Sequence, residues 1–365
     1  MRQLNILIFG LSITSSWGNG HATTFRSLIK ALAKRGHSIT FFEQDAPWYA
    51  ANRDMPESPF CKTVLYTSFK DLREYDVDIA HADLVILGSY VKNARDIANR
   101  VVALEPACFA FYDIDTPVTL AKLEREDYEY LHPDMIPQFD LYFSFTGGPI
   151  LQKLEIQWRA RRARALYCSV DPELYYPSAK DTFDYTLGYL GTYSEDRQAS
   201  VQRLLIDAAQ ECPQQQFCVA GAQYPDDIAW THNIRRIDHI PPQQHRDFYN
   251  AQRFTLNVTR QDMIQAGYSP SVRLFEAGAC GTPVITDYWQ GLDEFFTQGE
   301  EILVAHNTSD VIEHLAMNEH ARNEVGERMR QKVLKLHTSE HRAMEVEQHW
   351  LDAVSAAASA AYSNG

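Results

Sequence analysis

Three stretches of this 365-residue chain carry residue types at spacings that chemistry uses. The richest joins Asn257-Val258-Thr259-Arg260 to the run from Gly267 to Asp287. Within it Ser269-Pro270-Ser271 reads as a helix start, with two hydroxyls beside the unpaired N–H groups of a first turn. Arg273 and Glu276 follow, three apart and therefore on one helix face. A cation for a diphosphate and a carboxylate for two ribose hydroxyls suit a sugar nucleotide. The alternative is an intrahelical Arg–Glu pair. The second stretch is Asp113-Ile114-Asp115-Thr116-Pro117, which closes an apolar run. On an extended backbone its two carboxylates face one side, about 7 Å apart. Such a pair supplies a general base, contacts an acceptor or holds a divalent ion; alternatively Asp115 caps a helix with Pro117 in its first turn. The third is the glycine-bearing stretch from Gly10 through Gly18-Asn19-Gly20-His21. Its spacing is not G-x-G-x-x-G, so it is either a ligand loop at a helix start or a plain strand-to-helix turn.

The elements that must position these residues are short apolar runs alternating with helix-period segments. Leu4–Phe9, Ser38–Phe42, Leu84–Leu87, Cys108–Tyr112 and Leu141–Phe145 read as strands. Phe25, Leu28, Ile29 and Leu32 recur at helical spacing, and Lys34-Arg35-Gly36 is a helix stop. The pattern restarts with a strand at Asp184–Leu190, a turn at Gly191-Thr192-Tyr193-Ser194 and a helix over Asp196–Ala209. Further strands are expected at Phe217–Ala220, Phe254–Val258, Pro283–Thr286 and Ile302–Ala305. Strands spaced by helices imply parallel sheets covered on both faces. The economical fold is α/β, two doubly wound domains joined near the proline-bracketed Asp171–Ser178, with a ligand at the carboxyl ends of the strands in the cleft between them. After Asp310 the chain reads as helical to Trp350, and the Ala/Ser-rich residues from Ala353 to Gly365 as a frayed tail.

Composition narrows the function classes. Thirty-four Lys+Arg against 48 Asp+Glu give a net charge of −14, which argues against nucleic acid or an anionic membrane as partner. With 45% apolar and 22% charged residues the chain is a folded one. No apolar run is long enough for a transmembrane segment, and Leu4–Phe9 reads as a buried strand and not as a signal peptide. The six scattered cysteines form no C-x-x-C pair, which points to a reducing, cytoplasmic setting. His337-Thr338-Ser339-Glu340-His341 matches an H-x-x-E-H zinc string but lacks a distant third ligand, so no metal is expected there. Arg159, Arg161, Arg162 and Arg164 read as a solvated face.

Several strings together resemble a known family. The helix ending Leu32-Ala33-Lys34-Arg35-Gly36-His37, the stretch Ser169-Val170-Asp171-Pro172-Glu173-Leu174-Tyr175-Tyr176-Pro177, and Phe275-Glu276-Ala277-Gly278-Ala279-Cys280-Gly281-Thr282-Pro283 resemble glycosyltransferases of the two-Rossmann GT-B architecture. Phe111–Pro117, Asn257–Arg260, Ser269–Glu276 and Trp289–Phe296 resemble more narrowly its CgeB-like branch, linked to bacterial spore-surface maturation. The resemblance implies an acceptor-binding domain over 1–175, a nucleotide-sugar domain over 176–335, and over 336–365 a helix returning to the first domain plus the frayed tail. It implies Glu276 on the ribose, Arg260 and Arg273 near the diphosphate, Ser269 and Ser271 at the helix start, and Gly191, Thr192 and Tyr193 on the other donor wall. The donor implied is a UDP- or dTDP-sugar carrying a hexosyl or deoxyhexosyl group, with no metal or cofactor, and the acceptor is a hydroxyl. Gly18, Asn19 and Gly20 would form an acceptor or phosphate loop, and an inverting enzyme would draw its base from His21, Asp113 or Asp115. One departure stands out: the first Glu of the family's E-x7-E motif falls at Tyr268. That leaves the sugar and the stereochemical outcome open. It also keeps in view a non-catalytic binding or surface-assembly protein, and the shared two-domain fold keeps a UDP-sugar 2-epimerase as a second alternative.

Overall fold

The computed structural model describes residues 2–17, 20–178 and 182–363, with side chains to 359. It divides into two compact units, Met1–Cys168 with Ser339–Gly365, and Ser169–Thr338. The first unit is built on a seven-stranded sheet in the order β3-β2-β1-β4-β5-β6-β7. Its strands are β1 (Asn5–Gly10), β2 (Ser38–Gln44), β3 (Lys62–Tyr66), β4 (Leu84–Gly88), β5 (Phe109–Asp113), β6 (Leu141–Ser144) and β7 (Ala163–Ala165). All pairings are parallel. The central strands are apolar at nearly every position because both faces are covered. Ile6, Ile8, Phe41, Leu84 and Ile86 pack on one side with Phe25 and Leu28 of helix Gly20–Lys34. Leu7, Phe9, Phe42, Val85 and Leu87 pack on the other with Ile97 and Val101 of helix Ala94–Leu104. This is the period-two alternation of a strand read out on two cores.

The final helix, Ser339–Ser363, belongs to this unit. Ala343, Val346, Trp350 and Ala353 join the core with Phe25 and Leu28. Glu347 accepts from Arg35 (2.6 Å) and from the His37 imidazole (2.7 Å), while the Trp350 indole N–H donates to the Asp83 carbonyl (2.8 Å). The helix runs on past Ala353, the last of these core contacts, with Ser355, Ala357, Ala358 and Ser359 exposed; Asn364 and Gly365 of the expected frayed tail lie outside the described residues. The helix is not continuous from Asp310; it is broken at Ala316–Asn318 and at His337–Thr338.

The second unit holds a six-stranded parallel sheet in the order β10-β9-β8-β11-β12-β13. Its strands are β8 (Tyr185–Leu190), β9 (Phe217–Ala220), β10 (Ile234–Ile237), β11 (Gln252–Asn257), β12 (Val284–Thr286) and β13 (Leu303–Val304). Both sheets reverse their strand order once, between β1 and β4 in the first and between β8 and β11 in the second. At such a switch point the two adjacent connections leave in opposite directions and open a crevice at the carboxyl ends of the strands. The functional groups should converge on Gly10 and Gly88–Tyr90 in one unit, and on Leu190–Gly191 and Asn257–Arg260 in the other.

Candidate functional site

Arg273 marks the second unit's switch point. It sits in the first turn of helix Val272–Ala279. Its Nε donates to the Leu190 carbonyl at the end of β8 (2.8 Å), with a further bond from Nη2, and Nη1 donates to Asn257 Oδ1 at the end of β11 (2.7 Å). The guanidinium thus bridges the two strands between which the order reverses, and lies over the Tyr189 ring. The Asn257 amide donates onward to Thr286 Oγ1 (2.9 Å). The N–H and hydroxyl of Thr259 hold the buried Asp287 carboxylate (3.0 and 2.7 Å), whose pKa burial pushes up against those bonds. Arg260 follows at the rim, half-exposed and 3.9 Å from Asp196.

Glu276, one turn beyond Arg273, does not pair with it: among the described residues no ion pair joins the two. Its Oε2 accepts from the Tyr249 hydroxyl (2.9 Å), and His245 Nδ1 lies 3.9 Å away. Tyr175 is buried nearby, and burial together with the negative charge of Glu276 pushes its pKa up. The intrahelical Arg–Glu pair is therefore corrected, because each side chain has found partners on other elements. Ser271 occupies the N-cap position, yet its hydroxyl makes no capping bond to the helix; Ser269 is buried beside it. Gly191 has both backbone groups bonded, N–H to Ala220 (2.8 Å) and carbonyl to the Tyr224 hydroxyl (3.1 Å). Opposite it a Cβ on Gly221 would collide with the Gly191 carbonyl, so glycine there is a packing requirement. Arg197 donates to the Thr192 carbonyl (2.6 Å), and the Tyr193 ring meets Tyr224 edge to face. Tyr268 is held at φ +49°, its N–H on the Gln290 carbonyl (2.6 Å) and its ring against Gly291.

In the first unit the loop after β1 is organised by a residue that the sequence did not single out. Glu43, fully buried at the end of β2, accepts from the Ser12 hydroxyl (3.0 Å), the Ile13 N–H (2.7 Å) and both the N–H and hydroxyl of Thr14 (3.0 and 2.6 Å). Those N–H groups face a protein carboxylate and are closed to a ligand. Gly18 and Asn19 lie outside the described residues; Gly20 opens helix Gly20–Lys34.

Asp113 and Asp115 do not form the expected pair of carboxylates on one face. Strand β5 ends at Asp113, and Asp115 already occupies the N-cap of helix Thr116–Glu124, at φ −140° and ψ 49°, without a side-chain capping bond. Asp113 points into the core and accepts from Thr119 Oγ1 (2.6 Å), the Tyr142 hydroxyl (2.7 Å) and the Asp115 N–H (3.3 Å). Burial pushes its pKa up to about 6 in spite of these donors. A carboxylate so enclosed is not open to a cation. Asp115 instead accepts from the Tyr90 hydroxyl (3.0 Å), and the His21 ring meets Tyr90 edge to face at 5.3 Å. The structure thus gathers His21, Tyr90 and Asp115 beside the first switch point and sets Asp113 behind them. Tyr90 carries no sequence signal, but its φ of +63° is unusual for a tyrosine.

Burial pushes the His21 imidazolium down from 6.5 to about 4, so between those values the unfolded chain binds more protons there and stability falls as pH falls. Asp113, raised from 3.8 to about 6, acts in the opposite sense: its folded form holds the extra proton, and stability falls as pH rises through that window. The two slopes oppose each other from about pH 4 to 6. Urea unfolding midpoints should then show His21→Gln gaining stability at acid pH relative to the parent and Asp113→Asn losing it. Parallel pH profiles for all three proteins would refute both assignments.

His337 of the zinc-like string stacks on Phe275 (ring centroids 4.6 Å) and packs beside Phe295 and Phe296 in the second unit. Among the described residues no three His, Cys, Asp or Glu gather as metal ligands, all six cysteines are unpaired, and no helix is long and apolar enough to cross a membrane.

Two doubly wound parallel sheets with these switch points define the GT-B fold, and solved structures agree over nearly the whole chain. A sucrose-phosphate synthase from Thermosynechococcus elongatus superposes with a TM-score of 0.69 at 16% identity, covering 97% of this chain and all of that one. HepE of Anabaena, solved with UDP and glucose, gives 0.69 at 13% identity over 95% of this chain and 99% of its own. An α-glucosyltransferase solved with UDP and a 13-mer DNA gives 0.69 at 12% identity over 96% and 100%. Residues 197–348, the stretch carrying Arg260, Arg273 and Glu276, match the family described as glycosyl transferase-like. No curated protein sequence matches the chain. A DNA-bound member of the same fold also removes the ground for excluding nucleic acid on net charge alone.

Proposed function

We propose that this chain transfers a hexosyl or deoxyhexosyl group from a UDP- or dTDP-sugar to a hydroxyl acceptor, as a CgeB-like, cytoplasmic, metal-independent glycosyltransferase. The observation that carries the reading is Arg273 astride the β8/β11 switch point with Glu276 one turn further along the same helix. In the transfer the acceptor oxygen bonds to the anomeric carbon as the bond from that carbon to the β-phosphate oxygen breaks. The proton lost by the acceptor goes to a base of the first unit or to the departing diphosphate. Arg260, Arg273 and the N-terminus of helix Val272–Ala279 offset the charge of that leaving group, so no cation is required. Gly191, Thr192 and Tyr193 line the donor on the β8 side, with Ser269 and Ser271 at the helix start. HepE and the α-glucosyltransferase, both solved with UDP, support a uridine donor.

The test is a thermal-shift panel of UDP, dTDP, GDP and CMP with and without EDTA. A uracil or thymine nucleotide should raise the melting temperature by several degrees, about 2.7 kcal/mol at a hundredfold excess over Kd, equally in EDTA. No stabilisation by any nucleotide would sink the donor site. A second reading, a nucleotide-sugar-binding protein without turnover, draws on Tyr268 in the place of the first Glu. It gains if UDP stabilises the protein but neither transfer nor hydrolysis of UDP-sugars is detected.

A further inference from the structure

Arg273 is a partly buried cation that pairs with no carboxylate among the described residues. Its acceptors, the Leu190 carbonyl and Asn257 Oδ1, are both neutral and take three of its five N–H groups. Its guanidinium lies 5.2 Å over the Tyr189 ring. Pinning alone does not call for this arrangement. A carboxylate at position 257 would reach the same guanidinium, and a charge-assisted bond is roughly twice as strong as a neutral one. The switch point does hold a carboxylate, Asp287, but sets it one step back. Asp287 accepts from the Thr259 N–H (3.0 Å) and hydroxyl (2.7 Å), and the Thr286 hydroxyl donates to the Asp287 carbonyl (3.0 Å). With those hydrogens committed, both threonine oxygens offer lone pairs to the Asn257 amide, which donates to Thr286 (2.9 Å) and Thr259 (3.3 Å). The amide oxygen then faces Arg273, which has only donors. Asn257, Thr259, Thr286 and Asp287 are all buried. A directed chain thus runs from Asp287 through two hydroxyls and an amide to Arg273, and the Thr259 N–H on Asp287 fixes the backbone just ahead of Arg260.

We propose that Asn257 and Asp287 are positioning residues for the donor's diphosphate, holding Arg273 and the chain ahead of Arg260 through neutral dipoles that leave the guanidinium charge uncompensated. The proposal rests on the nucleotide-sugar reading. A cation held by neutral acceptors alone is costly to bury and gains most when an anion arrives. The two N–H groups left on Arg273 are free for phosphate oxygens. Dipoles in a hydrogen-bonded chain polarise one another, so Asp287 steadies the guanidinium at a distance without cancelling it. The rival account is a plain clamp between the ends of β11 and β12, where Asn257 and Thr286 stand in register. A clamp is indifferent to the charge at position 257, whereas the diphosphate is not.

The test is competitive titration of the full chain with UDP and uridine, and with dTDP and thymidine in parallel, on the parent, Asn257→Asp and Asp287→Asn. Melting temperatures are read on the same samples. Asn257→Asp keeps the shape and an oxygen for Arg273 but adds a charge. It should bind the diphosphate about tenfold more weakly and the nucleoside within about twofold of the parent. Asp287→Asn removes a negative charge from the neighbourhood of an anion. Were Asp287 a bystander, diphosphate binding would strengthen. As a positioning residue its loss should weaken that binding about threefold or more, again with the nucleoside unmoved. Equal losses of diphosphate and nucleoside in Asn257→Asp, parental diphosphate affinity in that variant, or parental or tighter diphosphate binding by Asp287→Asn would overturn the proposal and leave the donor reading standing. If Asp287→Asn does not fold, Asn257→Asp decides alone. Failure of the parent to bind any of the four compounds would instead strike at the donor reading itself.

Discussion

Glu276→Ala will bind UDP at least about a hundredfold more weakly than the parent chain, because two hydrogen bonds to a carboxylate are worth about 1.5–3 kcal/mol each. The competing account is that Glu276 only holds the fold, since it is 6% exposed and accepts from the Tyr249 hydroxyl. A carboxylate has about four lone-pair sites, and the Tyr249 hydroxyl uses one, so enough remain for the two hydroxyls of a ribose. The conservative variant separates the accounts. Glu276→Gln keeps an oxygen for the Tyr249 hydroxyl and removes the charge, so it should melt near the parent while binding UDP about tenfold more weakly. Tyr249→Phe should lose less affinity than Glu276→Ala, because it releases the carboxylate without deleting it. Titration calorimetry below the melting range reads all three. A folded Glu276→Ala that binds UDP within threefold of the parent would reduce the residue to a structural one.

Much of this architecture is legible in the sequence, for reasons particular to its strands. β1, β4, β5 and β8 are buried on both faces and stand out as short apolar runs bounded by glycine or aspartate. The strands that escape notice are Lys62–Tyr66, Ala163–Ala165 and Ile234–Ile237, all at sheet edges. An edge strand has one neighbour and tolerates charge, so Arg235 and Arg236 or the exposed Leu65 disguise it. The sites are legible only in part, because strand order is non-local. Nothing within Ser269–Glu276 announces that Arg273 will reach Leu190, 83 residues away, or that Tyr249 will meet Glu276 across 27. Glu43 did leave a signal, an acid at the end of the apolar strand Ile39–Phe42, which is where a buried carboxylate organises a loop. Asp113-x-Asp115 misleads because its geometry depends on the strand continuing by two residues, and it does not.

His21→Ala will lower turnover by about 10²–10⁴-fold, the range of a lost general base, whereas Asp113→Asn will lower stability before it touches chemistry. The difference lies in what each group has left to give. Asp113 is wholly buried and already receives Thr119, Tyr142 and the Asp115 N–H. Thr119 and Tyr142 donate to different oxygens of the carboxylate, so an amide there would confront one of those hydroxyls with an NH₂ group, at a cost of about 1–3 kcal/mol. His21 meets the Tyr90 ring edge to face, and burial keeps it neutral down to about pH 4. As the base it would therefore hold kcat/KM level well below the pH at which an ordinary histidine protonates, and the acid limb would fall near 4 and not near 6.5. Turnover in His21→Ala equal to the parent's would pass the role to Asp115, which accepts from the Tyr90 hydroxyl. Loss of activity in a fully stable Asp113→Asn would instead make the buried carboxylate part of the chemistry.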